Sequence, residues 1–198
     1  MLNVAVLVSN RGTNLEAILK EKEKGNLSNA NIKFVISNNE NAYALEVAKQ
    51  YGVNATYISY KDKNNFEQRL LQLLKENDID LIVLAGFLKI LSSSFIKNFN
   101  KSIINVHPSL IPSFCGKGYY GLKVHEEALK KGVKVSGATV HFVNEIPDGG
   151  EIILQKAVDV KDGDTPETLQ KRIMIEAEWV LLPKAIDLLS REILWLIF

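Results

Sequence analysis

The chain has 198 residues, 46% of them hydrophobic and 24% charged, with a formal net charge of +1. That size and apolar fraction suit one domain over residues 1–198 with a sizeable core, and the near-neutral charge gives no basis for a nucleic-acid partner. No apolar run approaches the ~20 residues of a bilayer span, no basic leader precedes the first strand, and the one cysteine, Cys115, excludes an intrachain disulfide. A cytoplasmic protein with no membrane partner is therefore expected, and the oligomeric state is left open.

Val4 to Val8 is a continuous apolar run, as in a strand buried on both faces. The polar loop Ser9-Asn10-Arg11-Gly12-Thr13-Asn14 follows, and a helix then begins with Leu15, Ile18 and Leu19 on one face. Strand, glycine-containing loop and helix start form the architecture of a phosphate site, because the first-turn N–H groups and the positive helix end attract an anion. An ordinary βα turn with a cap has the same outline. Further strands are expected over Ile32–Ile36, Ala55–Tyr60, Leu81–Ala85 and Ile103–Val106. Between them the pattern predicts a helix over 42–51, with Ala44, Leu45 and Ala48 inward and Gly52 as cap, and one over 64–77 carrying Phe66, Leu70, Leu73 and Leu74. A short helix capped by Ser92 carries Phe95, Ile96 and Phe99. Strands alternating with helices imply a parallel α/β sheet.

The second half differs. A helix is expected over Leu122–Lys131, an alternating strand over Val135–Val143 and another over Ile152–Val160, joined antiparallel by a tight turn at Asp148-Gly149-Gly150. Thr165 to about Ser190 reads as one long helix, with Thr165 as cap, Pro166 first, and Pro183 kinking or dividing it.

The chemistry concentrates at Asn105-Val106-His107-Pro108-Ser109, where a buried strand ends and a loop begins. In open α/β sheets ligands bind at that edge. An amide donor, a titratable imidazole and the carboxylate of Asp148 are the parts of an acid–base site acting on a carbonyl. The same residues also read as backbone-capping groups at a strand end, and Asp before Gly-Gly as turn chemistry.

With these pieces placed, four segments resemble the folate-dependent phosphoribosylglycinamide formyltransferase family. They are Ser9-Asn10-Arg11-Gly12-Thr13-Asn14-Leu15, Leu84-Ala85-Gly86-Phe87, Asn105-Val106-His107-Pro108-Ser109-Leu110, and Gly137-Ala138-Thr139-Val140-His141-Phe142-Val143 continuing to Asp148-Gly149-Gly150. The resemblance covers roughly residues 2 to 190. It implies the formyltransferase fold: a Rossmann-like, mostly parallel sheet with helices on both faces and an antiparallel strand in the C-terminal half. It implies a ribonucleotide- and phosphate-binding half over about 1–100 and a catalytic, folate-binding half over about 101–190.

The reaction implied is transfer of the formyl group of 10-formyltetrahydrofolate, as co-substrate and without a metal, to the amino group of glycinamide ribonucleotide. Asn105 and a protonated His107 would donate to the tetrahedral oxyanion, while Asp148 would hold a water for proton transfer and favour the charged form of His107. Arg11, Gly12, Thr13, Asn14, Gly86, Pro108 and Glu178 would hold the ribonucleotide. Lys63, Leu88, Lys89, Ile90, Leu91, Asn105, Val143, Asn144 and Asp148 would hold the folate. Lys63 and Glu178 also read as surface charges, and Trp179 stands where the family often has His.

The loop 113–120 is longer than in the shortest members and reads as a lid. Cys115 lies in it, although direct transfer needs no cysteine nucleophile. His125 and His141 are expected to be structural. The end of the chain at 193–198 departs from the family, which often continues with a small extra strand. Two rivals use related chemistry. A formyltetrahydrofolate deformylase would normally carry an N-terminal regulatory domain, and a tRNA formyltransferase a basic C-terminal domain. Neither is expected here. A nucleotide-binding module without catalysis is the non-enzyme alternative.

Overall fold

A strand whose side chains are all apolar needs cover on both faces. β1 (Leu2–Val8) has it: Val4 through Val8 expose no surface. Burying each Val or Leu contributes about 1.5–3 kcal/mol. The structure, a computed structural model, describes residues 1–195. The other strands are β2 (Ala30–Ser37), β3 (Asn54–Tyr57), β4 (Leu81–Leu84), β5 (Ser102–His107), β6 (Val135–Phe142) and β7 (Ile152–Asp159). The seven strands follow the order β3-β2-β1-β4-β5-β6-β7 in one sheet. The chain divides into two compact units, residues 1–104 with those from 186 onward, and residues 105–185.

In the first unit β1 pairs parallel with β2 and with β4, and β2 pairs parallel with β3. Its helices are α1 (Thr13–Glu23), α2 (Tyr43–Gln50), α3 (Lys63–Glu76) and α4 (Ser93–Phe99). The expected inward residues are buried, except that Leu73 and Ile96 are only half-buried at the margins of their stripes. β3 ends at Tyr57 rather than at residue 60. Ile58 N–H donates to the carbonyl of Ser37, the last residue of β2, at 2.9 Å, and β2 offers no ladder beyond it. From β1 the chain passes to β2 on one side, and β4 lies on the other. That reversal makes the edge beyond Val8 and Leu84 a crevice of the kind that takes ligands in such sheets.

In the second unit β6 and β7 are antiparallel, but their connection is not the expected tight turn. It runs from Val143 to Glu151, and Pro147-Asp148 occupy the middle of a turn closed by Gly149 N–H on the Ile146 carbonyl at 2.9 Å. Pro147 cannot take the positive φ that a two-residue hairpin would require of it, so Asp148 alone adopts one, φ 55, as the third residue of a type II turn does. Gly150 is fixed by close approach, because a Cβ there would lie 1.7 Å from the Phe142 carbonyl oxygen.

The remaining elements are α5 (Leu122–Lys131), α6 (Pro166–Ile173), a π-helical turn over Met174–Glu178, and α7 (Trp179–Trp195). The single terminal helix expected from the sequence is therefore divided, and the break precedes Pro183, which lies inside α7. Pro183 lacks the N–H that would bond the Trp179 carbonyl, and its ring crowds that carbonyl. The widened π turn ends at the residue just before Trp179, which is where such a mismatch is absorbed. The last three residues of the 193–198 run noted in the sequence lie outside the described residues.

One ion pair anchors α6. Arg172 donates to both carboxylate oxygens of Asp164, at 2.6 and 2.5 Å, and to the carbonyl of Asp159 at 3.0 Å. The guanidinium holds the Asp164 carboxyl well below the usual carboxylate range. A carboxyl depressed in the folded state contributes stability that is complete above its unfolded pKa, near 4, and is lost as pH falls below it. Arg172→Met is expected to cost about 2 kcal/mol at neutral pH. In thermal melts at decreasing pH, the gap between the variant and the parent should narrow as Asp164 is protonated.

Candidate active site

β5 delivers Asn105 and His107, β6 delivers His141, and the turn after β6 delivers Asp148, all within the second unit. His107 Nδ1 lies 3.5 Å from Asp148 Oδ2, and His141 Nε2 lies 3.5 Å from Asp148 Oδ1. Asn105 Nδ2 is 3.2 Å from His141 Nε2. The structure thus brings the three predicted side chains together, with His141 packed among them.

Carbonyl contacts assign the tautomers, since a carbonyl only accepts. His107 Nε2–H donates to the Phe114 carbonyl at 2.9 Å, and His141 Nδ1–H to its neighbour Phe142 at 2.8 Å. With Nε2 protonated, a neutral His107 presents its Nδ1 lone pair toward Asp148, and the Asn105 amide meets His141 Nε2. That bond uses one Asn105 N–H and orients the other.

The electrostatics correct one expectation. Burial pushes the His107 imidazole below its ordinary range, and the opposing pull of Asp148 and of the Phe114 carbonyl does not make up the difference. His107 is only 4% exposed, so losing hydration costs its charged form more than a carboxylate at 3.5 Å returns. Its resting ring is therefore held toward the neutral form, and the imidazolium expected from the sequence has to form during the reaction. Asp148 goes the other way. Burial would raise its carboxyl, but a proton on His141 or His107 and the Gly116 N–H at 2.8 Å favour the carboxylate and hold it below its ordinary value.

The loop 113–120 is a wall of this cluster. Ser109 Oγ donates to the Ser113 carbonyl at 2.6 Å, the Phe114 carbonyl accepts from His107 Nε2–H, and Gly116 N–H donates to Asp148. The Cys115 thiol is pushed up by burial and by Asp148, so it stays protonated. Pro108 is half-buried beside His107. Val143 is half-buried, and Asn144 spends its side chain on its own turn, accepting from Ile146 N–H and donating to the Gly149 carbonyl. Glu178 is half-buried at the end of the π turn. His125 has no accessible surface and, among the described residues, no hydrogen-bond partner for its ring, and burial holds its pKa at about 4.

In the first unit, Arg11 is exposed and Gly12 is the cap residue of α1, with φ 76 and no side chain to offer the first turn. A Cβ on Gly12 would meet the Ala44 Cβ at 2.6 Å, so this loop lies hard against α2. Gly86 is brought beside it, because Ser9 N–H donates to the Gly86 carbonyl at 3.2 Å. Beyond Gly86, Leu88 and Ile90 are 55% and 63% exposed, while Leu91 is packed inside. Lys89 Nζ lies 5.2 Å from the Tyr60 ring centre. Lys63 opens α3, with its Nζ 3.9 Å from Glu67 Oε1.

Comparison with known sequences is decisive. The pattern of the family described as Formyl transferase matches residues 2–186. The chain belongs to the formyl transferase family. The human trifunctional purine biosynthetic protein adenosine-3 is 43% identical over 190 residues, which are 94% of this chain and 18% of that protein. The chloroplastic phosphoribosylglycinamide formyltransferase of Vigna unguiculata is 34% identical over 97% of this chain and 62% of its own length. This member thus spans less than two thirds of each of these relatives. The crystal structure of glycinamide ribonucleotide transformylase 1 from Symbiobacterium toebii superposes with a TM-score of 0.89 at 39% identity, covering 97% of this chain and 89% of that one.

In this family member the residue pattern did not place His141 beside the cluster, nor the Phe114 carbonyl or the Gly116 N–H. His141 carried a signal: it alternates with Thr139 on one side of a strand whose neighbour holds Asn105 and His107. The two backbone groups carried none, since any residue supplies them once the loop is folded.

Proposed function

We propose that the chain transfers the formyl group of 10-formyltetrahydrofolate directly to the amino group of glycinamide ribonucleotide. The observation that carries this is the buried cluster of Asn105, His107, His141 and Asp148, with His107 held toward the neutral form and its Nδ1 lone pair toward a carboxylate. Attack of the amine on the formyl carbon puts negative charge on the formyl oxygen, and the Asn105 N–H that His141 orients donates to it. The attacking nitrogen becomes cationic and must lose a proton. A water held by Asp148 passes it to His107 Nδ1, and Asp148 stabilises the imidazolium that forms. The same proton goes to the folate nitrogen as the C–N bond breaks, so His107 returns to neutral and the site needs no metal.

The ribonucleotide phosphate is assigned to the first-turn amides of α1 and to Arg11, with Gly86 beside them and with Pro108 and Glu178 as further contacts. The folate is assigned to Leu88, Lys89 and Ile90, with the backbone at Leu91, and to Val143 and Asn144. Lys63 is a charge near that group. The substrates are small molecules, and a cytoplasmic location accords with the free thiol of Cys115.

Arg11→Ala is expected to raise KM for the ribonucleotide by about 10-fold or more, with KM for the folate little changed, since a charge-assisted phosphate contact is lost. This exposed position avoids the clash with Ala44 that would make a Gly12 variant ambiguous. The rival reading is hydrolysis of the same formyl group. Mixing the protein with 10-formyltetrahydrofolate, with and without glycinamide ribonucleotide, tests both. Tetrahydrofolate release that requires the ribonucleotide supports transfer, and release without it supports the deformylase.

A further inference from the structure

The segment after β4 presents two large apolar side chains to solvent, Leu88 and Ile90, and is pinned at both ends by polar groups. At its start, Leu88 N–H donates to Ser9 Oγ at 2.9 Å. At its end stands Glu67, a carboxylate on α3 that is only 7% exposed. Glu67 Oε1 accepts from Ser92 N–H at 2.8 Å and Oε2 from Ser92 Oγ at 2.5 Å. The Ser92 hydroxyl also accepts from Phe95 N–H at 3.0 Å, capping α4.

A cap needs only the serine. The carboxylate behind it is an added cost, because burying a charge is unfavourable unless its oxygens are bonded. Both oxygens are bonded here, and to a single residue, the one where the exposed segment ends. Lys63, 3.9 Å away, is the cation facing the carboxylate. Two bonds to one residue fix position and direction, which a serine cap alone does not.

We infer that Glu67 is a positioning residue for folate: through Ser92 it holds Leu88–Leu91 in the shape that receives the apolar ring system of the co-substrate. This rests on the assignment of that segment to folate. Glu67 touches no reacting atom, so its effect falls on binding rather than on the chemical step.

Glu67→Gln keeps the length, but its NH2 must donate to the Ser92 hydroxyl, so two charge-assisted bonds become neutral ones of about half the strength. It is expected to weaken tetrahydrofolate binding, measured by calorimetric titration, by about 10-fold. KM for 10-formyltetrahydrofolate should rise in parallel, with kcat and the ribonucleotide KM within about twofold of the parent. Glu67→Asp, shorter by one methylene, restores the charge without the reach and should bind no better than the Gln variant. Unchanged folate binding in a folded Glu67→Gln protein, equal losses for both substrates, or full rescue by Asp would overturn the inference. A parent protein that does not bind tetrahydrofolate would instead remove the functional reading, and this inference with it.

Discussion

Asn105→Ala is expected to lower kcat by about 10²-fold or more, with both KM values near those of the parent. A preorganised donor to an oxyanion is typically worth about 2.7–4 kcal/mol, and it acts only once the charge has formed. The Asn105 amide is preorganised by its bond to His141 Nε2 at 3.2 Å, so its loss removes a donor already aimed. His107→Ala should reduce kcat at least as far. That variant also takes the imidazole donor from the Phe114 carbonyl, leaving only the longer Ser109 Oγ contact at 3.4 Å, and empties a buried site, so its thermal midpoint should fall too. Steady-state kinetics and melts of the two variants separate these effects. Turnover within a few-fold of the parent for Asn105→Ala under saturating substrates would remove Asn105 from the mechanism.

Asp148→Asn is the second large effect. Asn tolerates a positive φ as well as Asp does, so the turn at φ 55 should survive, and the thermal midpoint should stay within about 3 °C. The Asn oxygen can still accept from Gly116 N–H, but the NH2 then faces an imidazole. At the Oδ1 place it meets His141 Nε2, and residue 148 no longer carries the charge that stabilises the imidazolium forming on His107, so kcat should fall steeply while both substrates still bind. The pH profile fixes the sign. Asp148 raises the His107 pKa against the larger effect of burial. Removing that charge lowers it further, so the acid limb of kcat should move to lower pH as the plateau drops. If Asp148 only shapes the turn, Asp148→Asn would keep both its activity and its pH profile.

Much of this arrangement was legible in the residues, for local physical reasons. The apolar run at Val4–Val8 has one low-energy environment, and the amphipathic stripes of α1 to α4 sort themselves by helical period. Asn105 and His107 stood out because a buried strand ended on polar groups. What was hidden depended on partners distant in sequence. His141 becomes part of the cluster because Asp148 lies across the turn from it, and the expected tight hairpin there gave way to the constraint on Pro147. The direction of the His107 shift was hidden because its partner was visible in the sequence and its burial was not. The divided C-terminal helix shows the same limit. Pro183 announced a disturbance, but its relief by a π turn one step upstream depends on backbone geometry that no residue type encodes.

The central claim is that the formyl carbon passes directly to an amine at this cluster. It is tested by supplying 10-formyltetrahydrofolate carrying an isotopic label in the formyl group, together with glycinamide ribonucleotide, and tracing the label over a single turnover. The account predicts that the label appears on the ribonucleotide nitrogen as an amide, in step with tetrahydrofolate release, and that Asn105→Ala slows both equally. Label recovered as free formate at the parent's rate, with the ribonucleotide unlabelled, would contradict it.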